Sequence, residues 1–413
     1  MKNSKKANQQ DRRAILLIIL CWLVYSSSYA ARTNYAANIN LIMDYFSVSH
    51  ADAGLVSTMF FFAYGIGQVI NGIFCKKYDM KRIIFASLIV SGATNLIIPL
   101  LESFAPVKYL WLVNGFSLSV LWPTLIRLLS ETLSQKHVVK ATLIMGTTVA
   151  VGTFFSYGLS SLFSLFSDFR TAFFTGAILL FLVALVWIFF LPSLSQGDSE
   201  PLRESYTPEI EKGKRKSDIS ALIFSLALFG IIVNLIKDGL ITWIPSILKE
   251  KYSLDDSLSI ILTLALPIVS IFGNSVAIEM NKKISDYVYL TTLFICVSGG
   301  IIGLVLWGFE KDFLILTLVG FTLVSLFASS ANCLITSVFP LFMRGRVNSG
   351  LIAGVLNGFC YLGSTLSAYG LGYVADVGGW SSVLYTLLGA ALISLLATAI
   401  YFISRLNKRK CKD

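Results

Sequence analysis

Apolar residues run in long unbroken stretches, and polar residues gather in the short gaps between them. Twelve stretches can be read, at 14–45, 51–75, 83–101, 108–133, 141–163, 171–191, 219–249, 257–280, 287–308, 313–339, 347–374 and 381–404. All are near or above the ~20 residues that a helix needs to cross a bilayer, and the longer ones permit tilt or extension beyond it. Backbone groups in lipid must find partners within their own segment, so each stretch is predicted to be a helix. A barrel is excluded, because the runs are continuously apolar with no alternation of period two.

The longest polar stretch, from Ser193 to Asp218, carries Gly197, Pro201, Pro208, Gly213 and mixed charge without apolar periodicity. It reads as a linker at 193–218 between an N-terminal six-helix bundle, 1–192, and a C-terminal one, 219–413. The two halves echo each other. Arg32 precedes Phe46-Ser47-Val48 much as Lys237 precedes Tyr252-Ser253-Leu254, and Ser156-Tyr157-Gly158-Leu159 is matched by Ala368-Tyr369-Gly370-Leu371. Such order and spacing predict parallel repeats about an axis along the membrane normal, with a substrate site between them.

Composition narrows the class. The chain has 413 residues, 55% hydrophobic and only 14% charged, against ~25% charged in a soluble protein. A water-soluble enzyme and a disordered chain are both excluded. A net charge of +10 invites nucleic acid as a partner, but the basic residues lie in clusters between the apolar stretches, as topology signals do. With the N-terminus placed in the cytoplasm, cytoplasmic segments hold 25 of the 33 Lys and Arg, opposite loops hold five, and Arg32, Arg127 and Lys237 fall inside helices. A multi-pass protein of the cell membrane with both termini cytoplasmic is therefore expected. The six cysteines make no metal-ligand spacing and read as small buried residues. His50 and His137, near helix ends, read as surface groups. There is no P-loop, zinc-protease helix or nucleophile elbow, so no catalysis, cofactor or metal is expected.

Arg32 and Lys237 lie about three residues past the middle of their segments, ~5 Å along the axis. A cation at that depth needs a partner or a water-filled cavity. Asp238 adjoins Lys237, but neighbouring helix positions do not share a face. Two cations at matching depth in related halves thus point to an anion held between them. Tyr25 and Tyr29 precede Arg32 by seven and three residues and share its helix face, placing their hydroxyls toward the same anion. Asn332 and Tyr361 are polar groups in apolar surroundings that suit the same site. Trp122-Pro123 breaks a helix hydrogen bond and favours a kink at a cavity mouth. Arg127 with Glu131 one turn later reads as a gate at the cytoplasmic end or as a local pair. Asp238 is the clearest group for proton coupling, and buried acids are otherwise scarce.

Several of these residues fall in recognisable motifs. Tyr25…Tyr29-Ala-Ala-Arg32-Thr-Asn34-Tyr35, Ala63-Tyr64-Gly65, Asn114-Gly115…Trp122-Pro123…Arg127, Lys237-Asp-Gly239…Trp243-Ile-Pro245 and Gly358-Phe-Cys-Tyr361-Leu362-Gly363-Ser364 stand in order along the chain. The sequence resembles the major facilitator superfamily and, within it, the organophosphate:phosphate antiporters that carry glycerol-3-phosphate or hexose phosphates. The resemblance implies Arg32 as a substrate arginine and places Lys237 where that family has a second one. It departs from the family in that lysine, in lacking a histidine near Met145-Gly146-Thr147-Thr148, and in Gln68, where glycerol-phosphate carriers have lysine. The expected function is transport of a small organic anion, phosphorylated or carboxylated, by alternating access and as an antiporter. The expected partners are that anion and the lipid bilayer, with no nucleic acid, and the protein is expected to be a monomer. A proton-coupled carrier of a neutral sugar or drug, or a non-transporting sensor of the same fold, are the alternatives.

Overall fold

The computed structural model describes residues 2–74, 79–134, 137, 140, 141, 144–166, 168–194, 216–343 and 349–410; side chains are described over a slightly smaller set. Among the described residues the chain is helical throughout, with no strand. The linker expected at 193–218 falls mostly outside them.

The first stretch is not one helix. It divides into α1 (Lys2–Ala30), α2 (Asn34–Ala37) and α3 (Ile39–Phe46). Polar side chains cause the breaks by competing for backbone groups. The Thr33 hydroxyl donates to Tyr29 O, and Asn38 Nδ2 donates to Asn34 O and to Ser160 Oγ. The chain continues with α4 (His50–Phe74) and α5 (Met80–Ile97), then α6 (Val107–Leu118) and α7 (Leu121–Thr132). Next come α8 (Thr148–Ser164) and α9 (Phe169–Leu194). The second half holds α10 (Lys216–Tyr252), α11 (Asp256–Thr263), α12 (Ala265–Lys283), α13 (Tyr287–Glu310), α14 (Leu314–Cys333), α15 (Phe339–Phe342) and α16 (Ser349–Lys410).

Among the described residues, ten helical segments are long and apolar enough to cross a membrane. The last of them breaks at Gly379, whose φ of 71° suits a residue without Cβ, and so counts as two. The 17 residues of α8 stand where the fifth of the twelve expected segments falls, a count with which the described helices are consistent. Phe189, Ile315 and Ile400 are more than two-thirds exposed. An apolar exterior of this kind is costly in water and at home against acyl chains. The turn serines that the sequence pairs between halves, Ser47 and Ser253, both adopt φ of 52°. Asp79, Asp255 and Asp286 cap α5, α11 and α13 by accepting from first-turn amides, as short acidic side chains do at N-termini.

Two proline breaks are repaired by side chains from elsewhere. Proline lacks the amide that would reach the carbonyl four residues back. Pro123 thus frees Ser119 O, which accepts from Gln68 Nε2 at 3.1 Å, while Asn71 donates to Ser119 Oγ at 2.9 Å. Pro245 frees Ile241 O, which accepts from Tyr157 Oη on α8 at 3.0 Å.

α4 packs along α16. At their crossing a Cβ on Gly54 would lie 2.3 Å from Ala368 O, so only glycine permits this approach. The described hydrogen bonds between residues 1–192 and 219–413 gather toward the end of the bundle away from the termini, here called the distal end. Ser246 donates to Asn40 at 2.5 Å, Lys249 pairs with Asp44 at 2.7 Å, and Ser161 donates to Ser257 O at 2.9 Å. Thr58 donates to Thr365 O at 2.9 Å and accepts from Tyr369 N at 3.0 Å.

Candidate functional site

Between the halves lies a cavity of about 320 Å³, within the range of small-molecule sites. Its lining reaches from Ala36, Ser57 and Thr242 to Gly146, Asn274 and Ser337, toward the end that carries the termini.

Arg32 lines it from the turn between α1 and α2. Its guanidinium rests over three rings, 4.4 Å from the centroid of Tyr29, 4.7 Å from Tyr64 and 4.9 Å from Phe60. Aromatic faces attract a cation without neutralising it. Among the described residues no carboxylate lies within ion-pair distance of Arg32. Phe60 and Tyr64 stand one turn apart on α4, and Tyr361 of α16 packs 4.7 Å from Tyr64. The sequence reading left Phe60 and Tyr64 out of the site, although their i,i+4 spacing put both on one face.

Lys237 lines the same cavity from α10. Its Nζ lies 3.2 Å from Asp238 Oδ1, which corrects the expectation that adjacent helix positions keep the two apart. The flexible lysine stem bends back to reach its neighbour. Ser364 of α16 donates to the other carboxylate oxygen, Oδ2, and so fixes Asp238 in place. The cavity wall therefore carries Arg32, Lys237 and Asp238, with one positive charge in excess.

The other sequence-derived residues divide. Tyr29, Asn332 and Tyr361 line the cavity. Asn332 accepts from Asn234 at 3.0 Å, and Asn274, Asn357, Ser270 and Thr336 extend an amide and hydroxyl surface opposite the rings. Tyr25 is buried behind Tyr29, with centroids 5.3 Å apart, and packs on Trp122 at 4.8 Å. Trp122 and Pro123 sit at the start of α7 beside the break at Ser119-Val120. Arg127 Nε meets Glu131 Oε1 at 2.7 Å on the same helix. Gln68 serves the helix break rather than the cavity.

Both histidines depart from expectation. His137 is buried, 3.2 Å from Asp11 and 2.9 Å from the Ser134 hydroxyl. His50 is held between two carboxylates at the distal end. Neither is a free surface group; each found acids that lie far away in sequence.

A many-helix bundle with an apolar exterior and a central, cation-bearing cavity sealed at one end is a membrane transporter rather than an enzyme. The sequence profile of the Major Facilitator Superfamily matches residues 21–355, and the chain belongs to that family. A "Probable hexose phosphate transport protein" of Chlamydia pneumoniae is 21% identical, over 90% of this chain and 87% of that one. The "Hexuronate transporter" of Bacillus subtilis is 20% identical over 94% of each. The "Membrane sensor protein UhpC" of Escherichia coli is 30% identical over a shorter match, 30% of this chain and 28% of that protein. Among solved structures, a bacterial homologue of the human lysosomal transporter Spinster, inward-facing and occupied, superposes with a TM-score of 0.74 at 15% identity. That match covers 94% of this chain and 96% of the other.

Proposed function

We propose that this transporter moves a small organic anion, phosphorylated or carboxylated, by alternating access and as an antiporter. The observation that carries the reading is the uncancelled guanidinium of Arg32, held by rings in the central cavity. An anion entering the cavity meets Arg32 on one half and Lys237 on the other. Arg32 offers a planar fork suited to carboxylate or phosphate oxygens, and Lys237 a point charge. Binding also competes with Asp238 for the lysine, so cargo exchange and the Lys237–Asp238 pair are linked. The amide surface around Asn332 and Asn274 suits hydroxyl groups on the cargo body.

The halves, 1–192 and 219–413 joined by 193–218, rock about this site as a monomer, and the Trp122-Pro123 break reshapes the end away from the distal closure. The distribution of Lys and Arg supports cytoplasmic termini, which makes the distal end the outer one and this conformation open inward. The names of the hexose phosphate and hexuronate relatives support an anionic cargo. A positively charged cavity weighs against a neutral one.

The test measures the melting temperature of the purified protein against phosphorylated and carboxylated sugars, followed by counterflow in proteoliposomes. A ligand at 100 times its Kd stabilises the folded state by about 2.7 kcal/mol. The rise is expected to vanish in Arg32→Gln with the protein still folded. An unchanged rise in that variant refutes the site. The match to a membrane sensor favours a second reading, ligand binding without transport, which stabilisation without counterflow would select.

A further inference from the structure

The anion site leaves unused a cluster at the distal end. His50 is the first residue of α4, and both its ring nitrogens face acids of the other half. Nδ1 lies 2.7 Å from Asp376 Oδ1 on α16, and Nε2 lies 2.7 Å from Glu250 Oε1 on α10. A carboxylate only accepts hydrogen bonds, and a neutral imidazole has a single N–H. Two such contacts are satisfied together only by the imidazolium. The rest of the cluster is built to hold the two acids in place. Asp376 also accepts from the amides of His50 at 3.1 Å and Ala51 at 2.8 Å, and Glu250 Oε2 accepts from Trp380 Nε1 at 2.8 Å. The rings of Trp380 and Trp243 flank the imidazole at 5.2 and 5.7 Å.

Neighbouring charges are engaged elsewhere. Lys249 pairs with Asp44 and Asp256, Lys251 with Asp312, and Asp52 bonds to Ser49. None of these lies within ion-pair distance of His50 among the described residues.

We propose that His50 is a proton-binding site that latches the distal end, so that pH at that end sets the balance between closed and open conformations. The imidazole belongs to one half and both carboxylates to the other. When the halves part, His50 loses both acids and holds its proton less tightly. Linkage then fixes the sign. Closure is strongest where His50 is charged in both conformations, below the ordinary histidine value of ~6.5. It weakens as pH rises through the value of the closed, carboxylate-flanked state. Each unit by which the two states differ changes the closed-to-open ratio about tenfold.

The experiment uses nitroxide labels on Leu100→Cys and Ile315→Cys, exposed positions at the distal ends of the two halves, with the six native cysteines replaced by alanine. Distance distributions are recorded by double electron–electron resonance in nanodiscs between pH 5.5 and 8.5, without substrate. The short-distance population is expected to fall relative to the long one as pH rises. His50→Gln is expected to flatten the response, Glu250→Gln to shrink it, and His137→Gln to leave it intact. A flat response in the parent protein, a full response in His50→Gln or Glu250→Gln, or loss of it in His137→Gln overturns the proposal. Because no cargo is present, the outcome is independent of the anion site.

Discussion

Tyr157 gives the sharpest test of how the closed conformation is held. Its hydroxyl, on α8, donates to the Ile241 carbonyl that Pro245 leaves without an amide, at 3.0 Å. Tyr157 is 1% exposed and sits with Ala37, Ile260 and Leu264 in an apolar cluster against which Ile241 packs. The contact is part-buried, and Tyr157→Phe leaves the Ile241 carbonyl without its donor. An unsatisfied buried group costs about 1–3 kcal/mol. Separation of the halves parts Tyr157 from Ile241 in the parent protein as well, so in the open conformation the penalty disappears. The cost thus falls on the closed conformation alone, where about 1–3 kcal/mol corresponds to a 5–150-fold shift toward the open one. The label pair at Leu100 and Ile315 reads that ratio. Pro245→Ala restores an amide to Ile241 O, so the same tyrosine change in that background is expected to cost little. An unaltered ratio in Tyr157→Phe, or an equal penalty with alanine at 245, refutes the reasoning.

The fold makes two further predictions. Gln68→Leu removes the donor to Ser119 O and is expected to lower stability by about 1–3 kcal/mol; Pro123→Ala should recover it, as measured by thermal unfolding in detergent. Gly54→Ala places a methyl 2.3 Å from Ala368 O, where backbone has to give way; α4 and α16 are expected to splay, lengthening the Leu100–Ile315 distance at a cost of about 1–3 kcal/mol. An unchanged distance would show that the crossing tolerates a side chain.

Arg32 and Lys237 were legible because charge in an apolar run has few tolerable settings, and their matched depth pointed to a shared cavity. The family motifs around them made the fold equally plain. The breaks were harder to see. Nothing in the hydropathy of 14–45 separates a straight helix from α1, α2 and α3, because the breaks depend on where the Thr33 and Asn38 side chains find carbonyls. The rings under Arg32 were half visible: Tyr29 lies on its own segment, whereas Phe60 and Tyr64 arrive from α4 by tertiary packing. His50 looked like a surface group since its acids lie 200 and 326 positions away. Long-range polar pairing leaves no local periodicity to read.

The first turn of α4 is finished by a carboxylate that the other half of the molecule lends it, through the amides of His50 and Ala51. Prising that end apart takes the borrowed oxygens away and leaves two peptide protons open to solvent. Deuterium uptake at these two amides is consequently expected to report, without any label, how readily the distal seal opens.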